Sequence, residues 1–157
     1  MGSLVYAKAL KASGERVRGM FALETLGFYS DEERSQRYPP PLGLLYPTTG
    51  NFVAFVGLIS SRSFVRETVR SFRALAPFPS VGGTAPAFIP GIDWSDHWAI
   101  EQVGFPALMI TDTAPFRYPH YHSRSDTPDK VDYERLARVV SGLERVVRKW
   151  ASVPSTQ

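Results

Sequence analysis

Two apolar runs, each leading into a segment with helical period, constrain this chain more than any other feature. Phe52 to Leu58 reads as a buried strand, and Ser61 can cap a helix that carries Phe64, Val65, Val69, Phe72 and Leu75 on one face. Pro106 to Thr111 repeats the strand signal, and Asp132 can cap a final helix bearing Tyr133, Leu136, Val139, Val140, Leu143, Val147 and Trp150. Upstream, Ser3 can cap a first helix with Leu4, Ala7 and Leu10 on one side, which Gly14 ends. The nearly uncharged segment Val17 to Phe28, interrupted only by Arg18 and Glu24, suits a buried strand followed by a turn. Alternating strands and helices predict an α/β domain.

The connections carry signals of their own. From Tyr29 to Asn51 the composition shifts to charge, proline and glycine, which predicts a long loop bordering a ligand cleft. A Gly/Pro-rich connection through Pro79, Gly82, Gly83 and Pro86 leads to a short helix over Trp98 to Val103, closed by Gly104. The tail Val153 to Gln157 is expected to fray.

With 157 residues the chain has the size of one domain, and its 43% hydrophobic content is that of a folding protein. The net charge of +3 comes from 18 basic and 15 acidic side chains that alternate without a dense basic run, so nucleic-acid binding gains little support. The absence of cysteine removes disulfides, thiolate zinc sites and a cysteine nucleophile, leaving any metal to nitrogen and oxygen donors. No signal-peptide pattern and no membrane-spanning apolar run occurs, so a soluble protein of unassigned compartment is expected, without a membrane partner.

The chemistry gathers at the ends of the expected strands, where α/β sheets place their ligand sites. Glu24 lies towards the end of the first strand, and all three histidines, His97, His120 and His122, fall in one short span. Side chains two apart on an extended backbone point the same way, so His120 and His122 read either as a shared metal site or as two solvent-facing loop residues. Glu24 reads either as a metal ligand or as a buried carboxylate paired with an arginine such as Arg18, and Asp96 as a helix cap. The row Arg62, Arg66, Arg70 and Arg73 could grip an acidic partner, but a solvated helix face is the simpler expectation.

The stretches Gly2-Ser3-Leu4-Val5-Tyr6-Ala7, Ala22 to Asp31, Ser95-Asp96-His97-Trp98, Gly104-Phe105-Pro106-Ala107 and Pro119-His120-Tyr121-His122 with Asp126-Thr127-Pro128-Asp129 follow one another in a recognisable order. Together they resemble the C-terminal half of the zinc-dependent exopeptidase family that contains bacterial leucyl aminopeptidases and, more distantly, glutaminyl cyclases. The resemblance implies a mixed, mostly parallel sheet flanked by helices, incomplete in this chain. It also implies a site of two zinc ions whose bridging water attacks the carbonyl of a peptide or amino-acyl substrate. By that resemblance Glu24 and His122 are metal ligands. Asp96 and His97 lie near the site as substrate-positioning or supporting residues, His120 shapes the loop, and Asp126 orients His122.

The resemblance also implies what is missing. The family's His-x-Asp motif, bridging Asp and Glu-Glu pair belong to an N-terminal half that the sequence lacks, and Glu32-Glu33 falls in a loop unsuited to replace that pair. Two ligands cannot reproduce a two-metal centre with ions about 3.5–4 Å apart. The expectation is therefore the C-terminal portion of an aminopeptidase-like hydrolase with Met1 as an internal methionine, inactive alone, and with partial or no zinc occupancy. A non-catalytic remnant that binds a peptide or metal, or a cyclase-like acyltransferase, are the alternatives. A truncated sheet also predicts self-association through its exposed edge.

Overall fold

The computed structural model describes residues 2–152; Met1 and the predicted frayed tail Val153 to Gln157 lie outside them. Helix α1 spans Gly2–Ala12, followed by strand β1 (Met20–Glu24), strand β2 (Val53–Leu58) and helix α2 (Arg62–Leu75). Then come β3 (Ser80–Ala85), α3 (His97–Glu101), β4 (Ala107–Thr111), the single turn α4 (Ala114–Arg117) and α5 (Tyr133–Ser152). The strands form one sheet in the order β1-β4-β2-β3. β1 runs parallel to β4 and β2 parallel to β3, while β2 and β4 meet antiparallel. The architecture is the expected mixed, mostly parallel α/β sheet with flanking helices.

The apolar stripe of α2 explains its seat. Phe64, Val65, Val69 and Phe72 are buried, and Phe72 packs on Phe55 of β2 with ring centroids 5.1 Å apart. Helix α5 crosses the same layer through Val139, Leu143 and Val146, and Gly142 lets it close on α2, because a Cβ there would lie 2.7 Å from the Phe72 ring and 2.5 Å from Ala76. The predicted face of α5 is rotated slightly: Val146 is buried, whereas Tyr133, Val140 and Val147 are exposed, since the core contact is a narrow seam rather than a broad face.

The Gly/Pro-rich connection between α2 and α3 departs from expectation, because Ser80–Ala85 is the edge strand β3. Its glycines serve close approach rather than turning. A Cβ on Gly82 would meet Val69 at 2.5 Å, and one on Gly83 would meet the Tyr46 hydroxyl at 2.3 Å. The first strand is shorter than predicted, Met20–Glu24, and turns at Thr25, whose φ is 43°. No helix among the described residues is long and apolar enough to cross a membrane.

Candidate functional site

Glu24 closes β1 in register with Thr111, the last residue of β4, and Thr111 in turn pairs with Ala54 of β2. Two parallel strands thus end side by side, and their carboxyl ends define the rim of a cavity of about 150 Å³. Glu24 is half-buried there, accepting a hydrogen bond from Ser95 Oγ at 3.3 Å. Apolar and aromatic side chains dominate the walls: Tyr38, Leu42 and Tyr46 come from the 29–51 loop, and Phe55 and Met109 from the sheet. Residues of the 29–51 segment thus form part of the cleft wall.

The histidine loop meets this rim from the other side. Tyr121 lines the cavity, and burial, with the negative charge of Glu24 second, raises its phenol pKa. The Tyr121 and His122 rings touch edge to face at 4.0 Å, so the step carrying His122 lies beside the Glu24 rim. His122 is exposed and holds φ at 54°, a left-handed conformation that turns the chain within the loop. His120 is bonded away from it, Nδ1 to Ser125 Oγ at 2.8 Å, with its ring against Tyr118. Asp126 does hydrogen-bond within the loop, but its partner is the Tyr118 hydroxyl at 2.8 Å. Burial, with that contact adding to it, pushes Tyr118 up to about 12.

Asp96 is exposed at the start of α3 and caps it with no side-chain hydrogen bond. His97 is fully buried beneath it, with Nε2 against the carbonyl of Ile92 at 2.7 Å, and burial lowers its pKa. A neutral imidazole holding the 86–96 connection in place is what this geometry provides. Among the described residues no group of three or more His, Cys, Asp or Glu side chains comes together to hold a metal. The carboxylate and imidazole present do not amount to a complete zinc site, which takes four ligands, or three with a water.

A polar centre with no signal in the sequence lies under the cavity wall. Asp112 and Arg117 are 3% and 6% exposed. Asp112 accepts from the Phe28 amide at 2.9 Å, and Arg117 donates to Gln36 Oε1 at 2.8 Å and to the Phe52 carbonyl at 3.0 Å. Thr113 donates to the same Gln36 oxygen at 3.0 Å. Burial raises Asp112 to about 6, against the pull of Arg117, while the same burial lowers Arg117 to about 10. The Arg117 guanidinium also lies over the Phe52 ring at 4.5 Å. One buried arginine thereby ties the β1 turn, the 29–51 loop and β2 to the segment that precedes the histidine loop.

The site thus combines a half-buried carboxylate at a strand end and a histidine loop beside an apolar cleft on an α/β sheet. Residues 1–147 match peptidase family M28, and the chain belongs to that family. It is 41% identical over 144 residues to an uncharacterized protein, YfbL, of Escherichia coli K12, covering 91% of this chain and 44% of that one. It is 26% identical over 148 residues to a probable leucine aminopeptidase of Arthroderma otae, covering 91% and 34% respectively. The fold also matches the Legionella pneumophila LapA structure with a TM-score of 0.70 at 15% identity, over 97% of this chain and 37% of that one. A glutaminyl cyclase of Fimbriiglobus ruber matches with a TM-score of 0.59 at 21% identity, over 93% and 43%. The chain spans less than half the length of each of these relatives.

Proposed function

We propose that these residues form the C-terminal part of a zinc-dependent aminopeptidase-like hydrolase, supplying the apolar substrate cleft and two metal ligands, Glu24 and His122. What carries the reading is the meeting of the Glu24 strand end and the Tyr121-His122 step at the rim of one aromatic-walled cavity. An apolar cleft with a few polar groups at its mouth suits the side chain of a peptide's terminal residue. The metal would supply an activated water only where further ligands and a general base are present, in chain beyond these residues or in a second polypeptide. By itself the chain is then a scaffold without turnover. The outer edge of β1, which pairs with no strand but β4 among the described residues, is where the remaining strands of a complete sheet or a second copy would pair.

Zinc titration against a chromogenic chelator tests the ligands. The chain alone should hold zinc weakly, and Glu24→Ala and His122→Ala should each weaken it further by about tenfold or more. Undiminished binding in both variants removes the two residues as ligands. Turnover of a leucyl anilide by the isolated chain would refute the dependence on a missing half. In a completed protein, preference for an N-terminal glutamine peptide over the anilide would favour the acyltransferase alternative.

A further inference from the structure

The outer flank of α2 carries Arg62, Arg66, Arg70 and Arg73 in one row, all exposed and none in an ion pair among the described residues. Glu67, the one acidic side chain of this helix, borders one side of the row, about 60° from Arg70, and makes no ion pair with it among the described residues. Between the row and β3 runs an open groove of about 730 Å³, floored by Val65, Val69, Gly82 and Gly83. β3 is the outermost strand, paired with β2 on one side and with no strand on the other among the described residues. Nothing in Ser80–Ala85 guards that edge, since the strand holds no proline, lysine or other charge. Arg73 already reaches across, with Nη2 donating to the Ser80 carbonyl at 2.7 Å and Nε to Ser80 Oγ at 3.2 Å.

The spacing of the row matches a strand laid along it. Arginines four apart on a helix recur about every 6 Å. Same-face side chains two apart on an extended chain recur about every 6.6 Å. We propose that the groove takes an extended acidic segment of a partner protein, which adds a strand to the free edge of β3 and sets alternate Asp or Glu side chains against Arg62, Arg66 and Arg70. Main-chain pairing supplies the register, and the guanidinium row selects the charge. A single-stranded nucleic acid would need a stacking platform, and Tyr46 is the one aromatic side chain lining this groove. The site lies on the α2 flank of β3 and does not depend on the metal-ligand reading.

Fluorescence anisotropy with a labelled peptide of alternating Glu and Thr, about eight residues long, tests the proposal. The intact chain should bind it, and an alternating Glu-Pro peptide of equal charge, which cannot complete a ladder, should bind about tenfold more weakly or worse. Arg66→Glu with Arg70→Glu should lower affinity at least about tenfold, and the paired Gln variant by less. Circular dichroism should show both folded, because the positions are exposed; should the Glu pair fail to fold, the Gln pair carries the test. No binding at millimolar peptide, equal affinity for the Glu-Pro peptide, indifference to both variants, or tighter binding of an oligothymidylate of equal charge would each overturn it.

Discussion

The two halves of the rim are held in opposite ways. Under the cavity wall, Arg117 bonds to Gln36, 81 positions away in sequence, and to the carbonyl of Phe52, 65 away, all out of contact with water. In the histidine loop the ties are short and exposed: Tyr118 to Asp126, His120 to Ser125, and Ser123 Oγ to the His120 carbonyl. Buried long-range bonds fix where the cleft is, and local surface bonds fix where His122 stands at its edge. The wall should therefore open only with the whole fold, whereas the lip can loosen on its own.

The strongest way to break this contrast is Arg117→Ala. It leaves Asp112 buried without its counter-charge and Gln36 and the Phe52 carbonyl without a donor, so a loss of about 3–5 kcal/mol is expected in urea unfolding. A loss under about 1 kcal/mol would mean that the arginine is not the pin it looks to be. Next in size is a pH effect. Asp112 is raised by burial from 3.8 to about 6, so the folded state binds its proton more tightly than the unfolded chain. Its stabilising contribution is fully present below 3.8 and is lost as the pH rises through about 6. Unfolding midpoints measured across that window should show this slope for the intact chain and a flatter one for Asp112→Asn. An unchanged slope would assign the titration elsewhere. The smallest effect belongs to the lip. Tyr118→Phe removes one exposed hydrogen bond to Asp126, costing less than about 1 kcal/mol globally. Faster amide exchange confined to the loop around 119–127 is the expected readout, and exchange that spreads into β4 would erase the distinction.

What could be read from the sequence follows the same division. α2 announces itself because its burial has the helical period, with Phe64, Val65, Val69 and Phe72 inside and four arginines outside. β2 and β4 are legible because strands covered on both faces are apolar throughout. β3 is not, since Gly82 and Gly83 are there to let Val69 and Tyr46 approach, and glycine pairs look like a turn. Glu24, at a strand end, and His122, in the loop beyond β4, are visible as residue types able to hold a metal. Gln36 sits in the segment read as a long loop, and Asp112 and Arg117 follow the last strand without any pattern; all three are invisible, because their meaning lies only in contacts across the fold. The short turn of helix at Ala114–Arg117 is hidden likewise by Pro115, which reads as a break but here occupies a first helical turn.

The sheet order has one more consequence, for assembly. β2 and β3 are joined through α2, with Val53 pairing Ser80 only 27 positions on, whereas Met20 of β1 pairs Ala107, 87 positions on. Closing the longer loop costs roughly 1 kcal/mol more chain entropy. The β2-α2-β3 unit is thus the part that can form early, and β1 joins a sheet already begun. Loop closure thus predicts that Glu24 reaches its place after the β2-α2-β3 unit has formed.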